Sequence, residues 1–251
     1  MKLSGKRALI TGSSSGIGRG IAVTFAQHGA SVVVNHPPIE RQAEKAHSLV
    51  DEIASGGGNA LAIQGDVSKE SEVKDLISQA NEFLGGIDIL INNAGIASIS
   101  MIEDLSSDLW DKTLGVHLRG TFLMTKYVLP QMYAQDYGKI INTASQLAYS
   151  GAPGLCHYTA AKGAIVSLTR SLALEIGERN INVNCVAPGA THTPMVEGLP
   201  EEVLDAVRQN IPKKRIATVE DIVPSYVFLA SDESSHYQGQ CLSPNGGDVF
   251  L

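Results

Sequence analysis

Short β-branched and aliphatic runs alternate along the chain with longer stretches whose apolar positions recur every three or four residues. The runs are RALIT (7–11), SVVVN (31–35), NALAIQGD (59–66), DILINNAG (88–95), GKIINTAS (138–145), INVNCVAPG (181–189) and QCLSPNGG (240–247). Between them, the helical period predicts helices over 18–29, 38–55, 70–85, 106–134, 157–177, 200–210 and 219–231. Nearly continuous apolar strands, each followed by a helix, predict a parallel sheet covered on both faces. With right-handed crossovers throughout, the expected fold is a single-domain, Rossmann-like, doubly wound parallel α/β sheet of about seven strands. SGGGN at 55–59 reads as a helix stop and turn. No repeat, low-complexity tract or long linker divides residues 1–251, so one domain is expected.

Composition narrows the function classes. A net charge of -7 with no basic stripe argues against nucleic acid or an anionic membrane as partner. No apolar run reaches the length of a membrane helix, and MKLSGKRALITG is too short and interrupted for a signal peptide. Cys156, Cys185 and Cys241 are scattered without metal-ligand spacing, which fits reduced thiols in a cytoplasmic protein and no metal site.

Two stretches carry candidate chemistry. ALITGSSSGIGRGIA sets Gly12, Gly16 and Gly18, with Ser14, Ser15 and Ile17, between the first strand and first helix. Glycines there let the backbone approach a pyrophosphate lying at the positive end of the helix. The end of the second strand should meet the adenine ribose, where an acid accepts from a 2′-hydroxyl and a cation takes a 2′-phosphate. Asn35 and His36 stand at that point. The missing acid favours NADP(H), and NAD(H) stays open. In the second stretch, HYTAAKG, Tyr158 and Lys162 fall one helical turn apart. An ammonium beside a phenol favours the phenolate, which suits proton transfer, although such a pair taken alone is usually a surface contact.

In order, TGSSSGIG, GDV (65–67), NNAG (92–95), Ser145, YTAAK (158–162) and APG (187–189) give the chain a close resemblance to the short-chain dehydrogenase/reductase family. The likeness runs over nearly the whole chain, with twelve residues between Ser145 and Tyr158. It is closest to the subgroup of this chain length that contains 3-oxoacyl carrier-protein reductases, glucose dehydrogenases and sugar or polyol dehydrogenases. The resemblance implies an NAD(P)-dependent oxidoreductase interconverting a carbonyl and a secondary alcohol. Tyr158 would be the acid/base, Lys162 its electrostatic partner and ribose ligand, and Ser145 the donor to the carbonyl oxygen. Asp66 and Val67 would contact adenine, and Asn93, Ala94 and Gly95 would line the cofactor. Pro188, Gly189, Thr191 and Thr193 would meet the carboxamide. Members pair their long helices into dimers and tetramers, so a homotetramer is expected.

Three departures from the family pattern matter. His117 stands where members carry an Asn that kinks its helix and holds a water linking the lysine to solvent. A working variant relay, a weakened enzyme and a nucleotide-binding sensor or scaffold all follow from that change. Thr191 and His192 bring polarity to PGATHTPM, and Asn245 replaces the acid of the usual DGG in a segment that packs at a subunit interface in relatives. Around the expected pocket, Gln146, His157, His192 and Met195 favour a small-molecule substrate of sugar, polyol or small polar ketone type. A 3-oxoacyl carrier-protein or CoA thioester is the alternative.

Overall fold

The computed structural model describes residues 1–196 and 198–250. Seven parallel strands form one sheet in the order β3-β2-β1-β4-β5-β6-β7. They are β1 (Arg7–Ile10), β2 (Ser31–His36), β3 (Asn59–Gln64), β4 (Ile89–Asn92), β5 (Gly138–Thr143), β6 (Ile181–Val186) and β7 (Cys241–Leu242). The helices are α1 (Gly16–Gln27), α2 (Glu40–Ser55), α3 (Glu70–Leu84), α4 (Ser107–Leu114), α5 (Gly120–Gln135), α6 (Leu147–Ser150), α7 (Cys156–Glu175), α8 (Glu201–Asn210) and α9 (Val219–Ala230).

Strand residues alternate between two apolar layers because successive side chains leave opposite faces of the sheet. Ala8, Ile10, Val32, Val34, Ile89 and Ile91 pack with Phe25 of α1, Leu49 of α2 and Tyr226 of α9. Leu9, Val33, Leu90, Ile140 and Val183 face the other way, onto Leu76 of α3, Val128 of α5 and Leu172 of α7. Burying one such side chain is worth about 1.5–3 kcal/mol, so this two-sided burial dominates the fold energy.

The layers also reveal an exception to the expected handedness. α7 carries the chain from β5 to β6 on one face, while α9 carries it from β6 to β7 in the same direction on the other, against α1. The last crossover therefore has the opposite hand to the rest. The excursion over 187–218 makes this possible, because it takes the chain across the carboxyl ends of the strands before α9 begins. Thr218 then starts α9 with a capping box, its side chain accepting from the backbone while Asp221 reaches back to the Thr218 N–H.

The helix expected over 106–134 is broken. Ser106 caps α4 through the Leu109 N–H at 3.2 Å, and the chain then widens into a π-turn at Gly115–Arg119 before α5 begins. α6 and a 3-10 turn at Asp232–Ser234 were too short to leave a periodic signal. Among the described residues, no helix is long and apolar enough to cross a membrane.

Candidate active site

The strand order reverses between β1 and β4, and open α/β sheets bind ligands at such a point, beyond the strand carboxyl ends. Thr11 staples the two loops there, its hydroxyl accepting from the Asn93 and Ala94 N–H groups at 2.9 and 3.0 Å. The Asn93 amide donates to the Thr11 and Gly12 carbonyls. A Cβ on Gly12 would lie 2.7 Å from the Ala94 Cα, and one on Gly18 would lie 2.5 Å from the Gly12 carbonyl oxygen. Only glycine fits this close approach, which leaves the α1 N-terminus bare beside Ser14, Ser15 and Gly16. Those residues, with Arg19, Glu44, Lys45, Ser48 and Pro194, line a cleft of about 470 Å³. Thr193 closes on the same loop, 3.4 Å from where a Gly16 Cβ would stand. A bare helix terminus flanked by hydroxyls fits a dinucleotide pyrophosphate, while Arg19 is paired with Glu52 and Lys45 stands beside Glu44.

At the end of β2 the structure differs from the expectation. Asn35 turns inward, accepting from the Gly12 N–H at 3.2 Å and donating to the Ile63 and Gly65 carbonyls. Its side chain is committed to holding the glycine loop, not to a ribose. His36 is buried, with Nδ1 3.0 Å from the Pro37 carbonyl oxygen and its ring edge-on to His47. Asp66 likewise serves its own turn, accepting from the Ser68 N–H and hydroxyl. Val67 is buried beneath Gly120, where a Cβ would come within 2.8 Å of it.

Ser145, at the end of β5, and Tyr158 and Lys162, on the first turns of α7, converge as the spacing predicts. The Ser145 hydroxyl accepts from the Leu147 N–H at 3.2 Å and stands on the Tyr158 side of the site, where it affects the phenol. Lys162 Nζ donates to the Thr143 carbonyl at 2.6 Å and stands 5.6 Å from the Tyr158 ring centre. Burial raises the Tyr158 phenol, with Ser145 pulling the other way. Burial lowers Lys162 to about 7, because little water remains to solvate the ammonium. Together the three groups offer a proton donor, a second hydroxyl donor and a cation whose charge is sensitive near neutral pH.

His117 sits in the π-turn with its ring edge-on to Tyr158, the centres 5.3 Å apart. Its Nε2 is 2.7 Å from the Ile96 carbonyl oxygen and 3.1 Å from the Ile96 nitrogen, and its buried Nδ1 has no hydrogen-bond partner among the described residues. The His117 carbonyl accepts from the Thr121 hydroxyl at 2.7 Å. Burial drives the imidazole down to about 3, with the Lys162 charge adding to the effect. A ring that titrates near its ordinary value and passes protons at neutral pH is therefore not what this pocket holds. The kink expected of the family's Asn is nevertheless present, as the π-turn. Gly95 makes room for the ring, since a Cβ there would stand 2.5 Å from His117 Cε1.

On the substrate side, Gln146 donates to Asp248 at 2.6 Å, while its own buried carbonyl oxygen has no hydrogen-bond partner among the described residues. His157 Nε2 is 3.0 Å from the Ser98 hydroxyl. The His192 side chain is exposed and its backbone N–H donates to the Ala217 carbonyl. Thr191 folds back onto the Gly189 carbonyl. Met195 is exposed. Asn245 is buried, bonded to Ser243 and Val249, and its Cα would lie 2.7 Å from a Gly189 Cβ. Within the chain it braces the loop after β6. Thr11, Thr143, Thr121 and Asp248 escaped the sequence reading. Three of them act through backbone groups or on them, and Asp248 reaches the site across 102 residues of chain.

A family model described as enoyl-(acyl carrier protein) reductase matches residues 12–248. The chain belongs to the short-chain dehydrogenase/reductase family. It is 40% identical over 247 residues to (2S)-[(R)-hydroxy(phenyl)methyl]succinyl-CoA dehydrogenase subunit BbsD of Thauera aromatica, covering 98% of each chain. It is 37% identical over 250 residues to a 3-oxoacyl-[acyl-carrier-protein] reductase of Thermotoga maritima, covering 100% of both. The crystal structure of levodione reductase superposes with a TM-score of 0.92 at 33% identity, covering 98% of both chains. This member of the short-chain dehydrogenase/reductases is an oxidoreductase of carbonyl and alcohol groups that works with a nicotinamide dinucleotide.

Proposed function

We propose that the chain interconverts a small polar ketone, sugar or polyol with its alcohol, using Tyr158 as acid/base. The observation that carries this reading is the convergence of Ser145, Tyr158 and Lys162 beside the stapled glycine loop. When bound, the nicotinamide supplies or accepts the hydride. Tyr158 gives its proton to the carbonyl oxygen in reduction and takes one from the alcohol in oxidation. Ser145 donates to the same oxygen and stabilises the charge that develops there. Lys162 in its ammonium form makes the phenolate easier to reach. It also offers N–H groups to the nicotinamide ribose, and Gly12, Gly16 and Gly18 give the pyrophosphate access to the α1 N-terminus.

The substrate class rests on the polar lining. Ser98 bonded to His157, and Gln146, the residue after Ser145, bonded to Asp248, support a polar lining, and such groups select a hydroxylated or small polar partner. The names of the relatives favour a second reading, a 3-oxoacyl or related CoA thioester. The net charge of -7 weighs against docking an acidic carrier protein. For the cofactor, NADP(H) is preferred over NAD(H), because no acid stands at the end of β2. A cytoplasmic homotetramer completes the reading.

The test is turnover, followed by nicotinamide absorbance, with NADH and NADPH on polyols, cyclic diketones and 3-oxoacyl-CoA thioesters. Replacing Tyr158 with Phe is expected to lower kcat about a hundredfold or more, while cofactor affinity barely changes. A Tyr158→Phe enzyme that keeps a tenth of the activity would remove the phenol from its role. Tight cofactor binding with no turnover on any substrate would favour the sensor or scaffold.

A further inference from the structure

At the edge of the sheet, two thiols stand side by side. β7 runs parallel to β6, and Cys241 is registered directly against Cys185. Hydrogen bonds from the Cys185 N–H to Gln240 O (2.9 Å) and from the Ala187 N–H to Leu242 O (2.8 Å) hold the strands on either side of the pair. Neighbouring strands are about 4.8 Å apart, inside the Cα separation of about 4.4–6.8 Å that a disulfide spans. Both side chains leave the same face. Cys185 belongs to the apolar cluster of Ala144, Ile165, Val166 and Ala187 under α7, and Cys241 packs against that cluster. Registered neighbours on parallel strands set the two sulfurs side by side. Cys185 is 1% exposed, whereas Cys241 is half-buried and reachable.

We propose that Cys185 and Cys241 are an oxidisable pair that closes to an intrachain disulfide when the protein meets a hydroperoxide. The Cys241 thiolate attacks a peroxide oxygen, the O–O bond breaks, and the departing hydroxide takes a proton to become water. The sulfur is left as a sulfenic acid. Cys185 then loses its proton and attacks the Cys241 sulfur. The S–O bond breaks and a second hydroxide leaves as water. With hydrogen peroxide, two thiols and one peroxide give one disulfide and two waters. Electrostatics agree with this order. The neighbouring Cys185 thiol pulls Cys241 below the ordinary thiol value, helped by the Tyr149 hydroxyl and the Arg170 charge. The same contact and burial push Cys185 up. The more exposed sulfur is thus the nucleophile, and the enclosed one resolves it.

The experiment treats the full-length protein with hydrogen peroxide, then counts thiols after denaturation and maps non-reduced peptides by mass spectrometry. The expected result is loss of two of the three thiols per chain, a peptide joining Cys185 to Cys241, and full recovery with dithiothreitol. Cys156→Ser should leave the cross-link intact. Cys241→Ser should abolish it, and Cys185→Val, which suits a buried strand position, should leave Cys241 as an isolated, dimedone-reactive sulfenic acid. Cross-links only through exposed Cys156, or over-oxidation of Cys241 with Cys185 still free, would overturn the proposal.

Discussion

His117 shows how far a side chain's meaning depends on what surrounds it. As a letter in GVHLRG it reads as a group able to exchange protons at neutral pH. In the fold, burial and the Lys162 charge hold it at about 3, and its Nε2 is tied to the Ile96 backbone. Its folded value lies below the unfolded one, so the unfolded chain takes up a proton that the native ring refuses. Stability is therefore lost as pH falls below 6.5 towards 3, with a slope approaching about 1.4 kcal/mol per pH unit. His117→Asn removes that slope. Urea denaturation at pH 7 and pH 5 should find the variant gaining about 2 kcal/mol relative to the native chain between the two. Equal pH dependence in both proteins would show that the ring charges freely. Tyr158, Lys162 and Ser145 were legible because their spacing is itself the signal. The inward turn of Asn35 and the silence of His117 were not, since both depend on partners, Gly12 and Lys162, that are remote in sequence.

Elements carry information that no single residue does. The break between α4 and α5 was invisible to periodicity because apolar residues continue through it, and the π-turn changes only the phase of the backbone. It aims the His117 ring at Ile96 and Tyr158. The C-terminal segment is similar: SPNGGDVF has no helical or strand period, yet Asn245 folds it and Asp248 anchors Gln146, the residue after Ser145. Truncating Asp248 leaves the Gln146 amide without its partner, beside a carbonyl oxygen that already has none among the described residues. Asp248→Ala should accordingly raise KM for the ketone about threefold to tenfold, equivalent to about 0.6–1.4 kcal/mol, with kcat changed less. Asp248→Asn, which keeps an acceptor, should restore most of the loss. A fall in kcat alone would place the segment in the chemical step instead.

For the whole molecule, strand–helix alternation was enough to predict the parallel sheet, its approximate strand number and its two covered faces. The reversed last crossover was not readable, because the helical periods of α8 and α9 do not say which face of the sheet the chain returns on. The same two-layer geometry bears on assembly. Phe122 on α5 is 48% exposed and Leu174 on α7 is 86% exposed, both on helices whose inner faces already fill one layer of the core. Apolar side chains on the outer faces of paired long helices suit an isologous contact, in which each residue enters the interface twice. A homotetramer predicts a light-scattering mass about four times the 26.5 kDa chain. Leu174→Asp places two carboxylates in each such contact, and desolvating them should shift the population towards dimer or monomer at micromolar concentration. The Leu174→Asp subunit itself should stay folded, because the substitution reaches no core residue. A native chain that runs as a 26.5 kDa monomer at every concentration would assign the outer faces of α5 and α7 to solvent.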